Sequence, residues 1–279
     1  MLYTLAATAC FALMDGVSKL LVLGHPLPLV LWLRHLFAFP FLLLLLMLTG
    51  TPIRWRSQRP ALQFLRSALL VIQIAIAFVG FRALPLAEVH AILAASPLVV
   101  TAASAPLLGE RVTPRAWFAV VLGFVGVLVI LRPGLIPLEP AVLVVCAGIF
   151  VYASYQLLTR RVGSVDPPST SFALQLLFSV LLLTPLGPLY WEPLAAWEWA
   201  LIALLGALGT LGHYSLIRAL ALAPAALVQP FTYTHLLWVS LVGLLLFREF
   251  PDFWTVTGAA VVVAAGIWAI LDISRRAPS

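Results

Sequence analysis

Apolar residues in this chain fall into ten long runs, each interrupted by a few polar positions and separated by short polar or proline-bearing connections. The runs lie at roughly 2–23, 29–48, 61–80, 86–107, 113–131, 139–159, 168–186, 197–217, 224–246 and 253–272, and a hydrocarbon layer of about 30 Å is crossed by about 20 apolar helical residues. The pattern therefore predicts an all-α integral membrane fold of ten transmembrane helices, helix 1 to helix 10. The first run lacks the basic leading region of a signal peptide and carries Asp15 and Lys19, so it reads as helix 1.

The pattern also repeats itself. Shifted by 139 residues, Pro28 falls on Pro167, Pro85-Leu86-Ala87 on Pro224-Ala225-Ala226, Val89 on Val228, and Leu107 and Glu110 on Leu246 and Glu249. Residues 1–137 and 138–279 are thus expected to be two five-helix repeats. Five is odd, so the second copy is threaded through the bilayer inverted relative to the first. Many secondary transporters build a central cavity between two such copies.

Polar positions inside the runs single out six helices, because a polar side chain at membrane depth turns toward protein or water. Stripes at helical spacing appear on helix 1 (Thr4, Thr8, Asp15, Ser18), helix 3 (Gln63, Arg66, Gln73) and helix 4 (His90, Pro97, Thr101, Ser104). They recur on helix 6 (Tyr152, Tyr155, Gln156, Thr159), helix 8 (Gly206, Thr210, His213, with Tyr214 beside them) and helix 9 (Gln229, Thr232, Tyr233, Ser240, with His235 nearby). Helices 1, 3 and 4 map onto 6, 8 and 9, so the stripes form three symmetric pairs. The candidate substrate pathway is Gln73, Tyr152, Tyr155, Gln156, His213, Tyr214, Tyr233 and His235, together with Asp15 and Lys19. A plainer reading stands beside each: hydroxyls bonded to their own helix, tyrosines in an interfacial belt, histidines satisfied in the core, and Asp15 and Lys19 neutralising each other one turn apart.

Helices 2, 5 and 10 are nearly pure hydrocarbon and glycine (Leu42–Leu46; Gly123 and Gly126; Gly258 and Gly266) and read as lipid-facing or scaffold helices whose small residues permit close packing. On helix 7, Ser171, Gln175 and Ser179 read as helix–helix hydrogen bonding. Pro97 and Pro230 each free a carbonyl one turn back, at Leu93 and Ala226. With His90 and Gln229 beside them, they are candidate gate or entry residues. Glu88 and Asp15 are the candidates for proton coupling. Glu110 and Glu249, at helix ends, read as loop-capping or orienting groups rather than ligands.

Composition agrees with the membrane reading: 63% of residues are hydrophobic, 9% are charged and the mean hydropathy is +1.11. Little chain remains for a soluble catalytic module. Arginine and lysine divide eleven to five between the two sides, which by the positive-inside rule puts both termini in the cytoplasm of a cell (inner) membrane protein. The net charge of +6 is thereby accounted for by topology and anionic lipid, with no nucleic-acid partner. Cys10 and Cys146 show no metal spacing and imply no disulfide, and no cofactor is called for.

The chain resembles the drug/metabolite transporter superfamily, in particular its ten-helix EamA-type permeases. The resemblance rests on Phe11-Ala-Leu-Met-Asp15 with Lys19, on Leu31-Trp-Leu-Arg34-His, and on Leu107-Leu-Gly-Glu110-Arg with Trp117. In the second copy it rests on Ala223-Pro-Ala, Pro230-Phe-Thr-Tyr233, and Phe247-Arg-Glu249 followed by Gly258. It implies two inverted repeats around a basket-like cavity and export of small metabolites such as amino acids, the aromatic amino acid exporter branch being one it resembles. Small relatives exchange protons through a glutamate in their first helix. Here that helix offers Asp15, and the matching position of helix 6 is Ser154.

The expected function is export of small polar metabolites, amino acids foremost, by alternating access. The protein is expected to work as a monomer in the lipid bilayer and without enzymatic activity. The alternatives are a multidrug exporter of lipophilic cations, a passive channel or a membrane enzyme. Scattered carboxylates argue against the last.

Overall fold

The computed structural model describes residues 1–50, 55–96, 98–100, 102–103, 114–132, 139–163, 165–222 and 231–274. Among these, ten α-helices follow one another: α1 (Leu2–Gly24), α2 (Leu27–Thr49), α3 (Pro60–Ala83), α4 (Leu86–Leu93), α5 (Pro114–Leu131), α6 (Pro140–Gly163), α7 (Pro168–Leu183), α8 (Ala196–Leu222), α9 (Thr234–Phe247) and α10 (Phe253–Ser274). They fall on the ten predicted runs. Five are long and apolar enough to cross a bilayer, and α5, α7, α9 and α10 carry apolar stretches of 10–17 residues.

The boundaries follow local chemistry. Proline opens α3, α6 and α7, where its missing N–H is no loss. Gly50, at φ +62°, closes α2 in the left-handed conformation. Arg248 adopts the same conformation at φ 57° without being glycine, and the Glu249 N–H then donates back to the Gly243 carbonyl. That turn reverses the chain at Glu249.

Packing shows the duplication directly. Helix α1 packs on α8 and α9, while α6 packs on α3 and α4; α2 meets α8, and α7 meets α3. Across the middle, α2 faces α7, α4 faces α9, and α5 faces α10. Exchanging the first five helices for the second five maps each of these contacts onto another of them or onto itself. The molecule therefore has a pseudo-twofold axis, and an odd number of crossings per copy lays that axis in the membrane plane. The α5–α10 contact is glycine on glycine. A Cβ on Gly258 would lie 2.5 Å from the Gly126 carbonyl oxygen, so side chains are excluded there.

Connections at one end of the bundle include α1–α2, α3–α4 and α9–α10, and those at the other include α2–α3 and α6–α7. Helix α2 departs from its reading as plain hydrocarbon: Arg34 and His35 sit inside the bundle, His35 with its ring on the Leu31 carbonyl at 2.8 Å.

Candidate functional site

Asp15 from α1, His90 from α4 and His235 from α9 converge between the two copies. Both imidazole Nε2 atoms approach the same carboxylate oxygen, at 3.2 Å for His90 and 3.4 Å for His235. The two rings meet edge to face with centroids 4.7 Å apart. Neither ring nitrogen is aligned into a hydrogen bond. The three side chains lie inside the bundle yet keep 13%, 14% and 22% exposure, so a water-sized space adjoins them. By type and spacing they could also hold a metal ion, their donor atoms lying within 4.8 Å of one another.

Lys19 takes no part in this trio, contrary to the pairing with Asp15 that their spacing allows. Its ammonium group donates to the Leu84 carbonyl at 2.8 Å and pairs with the Glu249 carboxylate. The second oxygen of Glu249 accepts the Leu86 N–H at 2.9 Å, capping α4 one turn before His90. Glu249 is thus the orienting group expected of it, placed over α1 and α4 by the left-handed Arg248 turn.

Arg34, counted from sequence as a charge at the outer flank, is the residue that reading missed. Its guanidinium reaches Ser18 Oγ at 3.4 Å and the Met14 sulfur at 3.3 Å, and lies 5.9 Å from the Phe78 ring centre. It has no ion-pair partner among the described residues, but Asp15 is within electrostatic reach. The signal was present: an arginine two turns into an apolar run is too costly to leave facing lipid.

The remaining candidates divide. Tyr152 stacks on Tyr155 at 5.9 Å and 17°, and feels the Asp15 charge. Tyr155 donates to Gln175 at 3.1 Å. Gln73 is buried on α3 beside Gly148, its carbonyl oxygen without a partner. His213 stacks on Phe172 at 4.7 Å and meets Phe11 edge-on at 5.1 Å. Gln156 and Tyr214 are half-buried on the same two helices as Tyr152 and His213. Tyr233 turns away: its hydroxyl occupies the space a side chain on Gly266 of α10 would need. Gly206 is a packing contact against the α2 backbone at Phe37. Glu88 lies apart from the trio, in an end cleft with Phe250, Pro251 and Asp252. Pro97, Gln229 and Pro230 lie outside the described residues, but the Leu93 carbonyl that Pro97 frees accepts the Ser96 hydroxyl at 2.6 Å.

Hydroxyls mostly behave as the plain reading holds: Ser18, Ser67, Ser154 and Ser240 each bond the carbonyl four residues back. An exception crosses the axis, where Thr8 of α1 meets Thr234 of α9 at 3.0 Å.

Both ends are latched. At the α1–α2 end, His25 bridges Glu192 and Glu198, Arg82 donates to the Val22 carbonyl, and Arg132 pairs with Asp252 at 2.7 Å. Burial disfavours the charged His25 ring, but the hydrogen bonds it donates to Glu198 and Glu192 outweigh it and raise its pKa. At the α2–α3 end, Asp166 accepts from Ser57, from the Gln58 N–H at 3.1 Å and from Gln63 at 2.9 Å. Burial opposes that carboxylate's charge too, and these donors outweigh it, lowering its pKa. Arg66 and Gln63, read from sequence as part of a lining stripe, work here: Arg66 donates to the Ser171 carbonyl at 2.5 Å and Gln63 to its hydroxyl at 3.0 Å. Of the helix 7 stripe, now on α7, Ser171 and Gln175 are used for helix–helix bonding as expected, whereas the Ser179 hydroxyl is buried without a partner. Separately, an apolar groove of about 370 Å³ runs between α2 and α7, lined by Phe37, Phe39, Pro40 and Leu177 and by none of the polar candidates.

Comparison with known proteins matches this arrangement. The profile described as the EamA-like transporter family fits the chain twice, over residues 1–132 and 139–271. A riboflavin transporter of Vibrio cholerae is 30% identical over 94% of this chain and 89% of its own length. A riboflavin transporter of Rhizobium johnstonii is 29% identical over 99% and 92%. An S-adenosylmethionine uptake transporter of Rickettsia prowazekii is 23% identical over 80% and 76%. A solved crystal structure, 19% identical, superposes with a TM-score of 0.66 over 99% of both chains, which shows the shared fold. With the same family profile covering each copy of the helix quintet, this chain is a member of the EamA-like transporter family of the drug/metabolite transporter superfamily: a multi-pass membrane transporter of small molecules, not an enzyme.

Proposed function

We propose that the protein is an inner-membrane secondary transporter, with both termini cytoplasmic, that takes up a small polar metabolite bearing a flat heteroaromatic ring. Riboflavin is the first candidate cargo, and alternating access between the two copies is the mechanism. The observation that carries this reading is the polar and aromatic centre. Gln73, with an orphaned amide oxygen, faces Gly148 on α6, one turn before Tyr152, which stacks on Tyr155 and feels the charge of Asp15 in a trio that keeps access to water. An amide offers a donor and an acceptor side by side, which complements the imide edge of a flavin ring. Aromatic faces suit its plane. The names of the similar transporters support both the cargo and the inward direction.

Amino acid export is a second reading, favoured by one specific feature. Arg34 has no ion-pair partner among the described residues and lies within reach of Asp15, an arrangement of opposite charges that suits a zwitterion.

Counterflow in liposomes decides between them. Protein loaded with unlabelled riboflavin should accumulate labelled riboflavin saturably, and Gln73→Ala or Tyr152→Ala should cut that flux at least tenfold with folded protein retained. Exchange of phenylalanine or tryptophan instead would move the assignment to amino acids. No saturable exchange of riboflavin, S-adenosylmethionine or any amino acid would remove the transport reading's support.

A further inference from the structure

We infer that Asp15, His90 and His235 form a binding site for one divalent transition-metal ion of the zinc class, and that an ion held there clamps the two copies together. The site stands on the geometry alone; its consequence, arrested transport, rests on the transport reading above.

The donor set and its spacing fit such an ion. Two imidazoles and a carboxylate suit borderline ions such as zinc, whereas magnesium and calcium prefer oxygen alone. Zinc held tetrahedrally at about 2.0–2.1 Å from each ligand sets neighbouring ligand atoms about 3.3–3.4 Å apart. Both Nε2 atoms stand close to that spacing from Asp15 Oδ2, at 3.2 and 3.4 Å. The third edge, between donor atoms of the two rings, is at most 4.8 Å, and a small turn of either imidazole closes it. Each Nε2 is buried without a hydrogen bond, so coordination breaks none. The exposure that the trio keeps leaves room for water as a fourth ligand, the arrangement zinc adopts with three protein ligands.

The surroundings leave the Asp15 carboxylate to the ion. Lys19, one turn along α1, is committed to Glu249 and the Leu84 carbonyl. Beside His90 stands the Phe81 ring, which brings no competing donor. Arg34 is the opposing charge: it feels Asp15 but donates to Ser18 and the Met14 sulfur. Its presence makes the site weaker than a closed four-ligand one, and therefore reversible. Under the 139-residue shift, Asp15, His90 and His235 correspond to Ser154, Gln229 and Ser96, and the two serines bond carbonyls of their own segments. The duplication thus offers no second set of ligands, and the stoichiometry is one ion per chain.

Placement turns binding into a clamp. Asp15 and His90 belong to the first copy and His235 to the second, and α4 and α9 face each other across the pseudo-twofold axis. Metal–ligand distances tolerate only about 0.2 Å of departure, so an ion joined to all three groups requires this approach of the copies. Rocking one copy against the other draws His235 from Asp15 and removes a ligand. The ion therefore binds this arrangement better than its alternative and shifts the population toward it. It stops the cycle rather than travelling with it.

The test uses the full chain, freed of any affinity tag and stripped with EDTA, with zinc chloride as probe. Calorimetry in detergent should show one zinc per chain, and magnesium should show no binding. Asp15→Asn, His90→Gln and His235→Gln should each weaken zinc binding at least tenfold. Zinc X-ray absorption of the wild type, which needs no variant to fold, should show two imidazoles on the ion. No zinc binding, a shell of oxygen only, or an affinity unchanged in all three variants overturns the site. In liposomes, zinc should slow riboflavin exchange at least tenfold and EDTA should restore it. Full exchange with the site occupied overturns the clamp. So does zinc accumulating inside the liposomes, which would make the ion a cargo. If the wild type exchanges no riboflavin even without zinc, the riboflavin reading falls, while the site is still decided by calorimetry. The clamp is then read by hydrogen exchange of α4 and α9, which zinc should slow and EDTA should restore; indifference of both helices sinks it.

Discussion

The two ends of the bundle close by different chemistry. At the α1–α2 end, basic side chains meet carboxylates: Lys19 with Glu249, His25 with Glu192 and Glu198, and Arg132 with Asp252. At the α2–α3 end a buried carboxylate, Asp166, is held by a hydroxyl, a backbone N–H and an amide, while its nearby cation, Arg66, donates to the Ser171 carbonyl instead. Hydrogen bonds to neutral donors exchange for water at small net cost. A dry ion pair that separates strands two charges. If the two ends part in turn, as the transport proposal requires, the Lys19–Glu249 pair should make the charged end the harder to open.

The sharpest way to break this contrast is Glu249→Gln. It leaves Lys19, 5% exposed, without a counter-charge and weakens the cap on α4. Removing one partner of such a pair costs about 3 kcal/mol, reduced somewhat because Glu249 is 20% exposed. Thermal unfolding in detergent should show the loss, and Lys19→Met combined with Glu249→Met should recover most of it. A double variant no better than the single one would mean that the cap, not the charge, matters.

Asp166→Asn tests the other end. The asparagine oxygen still accepts from some of the same donors, so the expected loss is about 1 kcal/mol. A loss as large as that of Glu249→Gln would erase the difference between the ends.

The pH dependence separates them by sign. The raised pKa of His25 means that its contribution is fully present below the ordinary histidine range and fades as pH rises through the raised value. The lowered pKa of Asp166 means that its contribution is present above the ordinary carboxylate range and fades as pH falls through the lowered value. Alkaline titration should thus loosen the His25 contacts at the α1–α2 end and spare those of Asp166, while acid titration should weaken Asp166 at the α2–α3 end together with Asp252 at the other, read by hydrogen exchange at each. The smallest effect belongs to Arg132→Gln. Its partner Asp252 is 44% exposed, so the pair is screened, and a change below about 1 kcal/mol is expected.

How much of this was legible beforehand differs between fold and site. Ten apolar runs and a 139-residue repeat were enough for ten helices and a pseudo-twofold arrangement, because lipid forces each run to satisfy its own backbone as a helix. Runs 1, 3, 4, 6, 8 and 9 were recognisable as polar helices by periodicity. Partners were not. Lys19 is four residues from Asp15 in sequence but bonds Glu249 on the far copy, and Arg34 passed for a flank charge although it lies in the core. Tyr233 shares a stripe with lining candidates yet packs on Gly266.

The amino-acid sequence alone, then, settled the solvent, the number of crossings and the duplicated plan, since these depend on run length and on the transfer of apolar groups out of water. Only the tertiary structure decided that Asp15 meets two histidines rather than a lysine, and that two carboxylates, Glu249 and Asp166, close opposite ends by unlike means. The reason is physical. Burial is a property of a single segment's composition, whereas a hydrogen bond or ion pair depends on where a second segment, 145 or 230 residues away in the case of His235–His90 and Glu249–Lys19, is brought by packing.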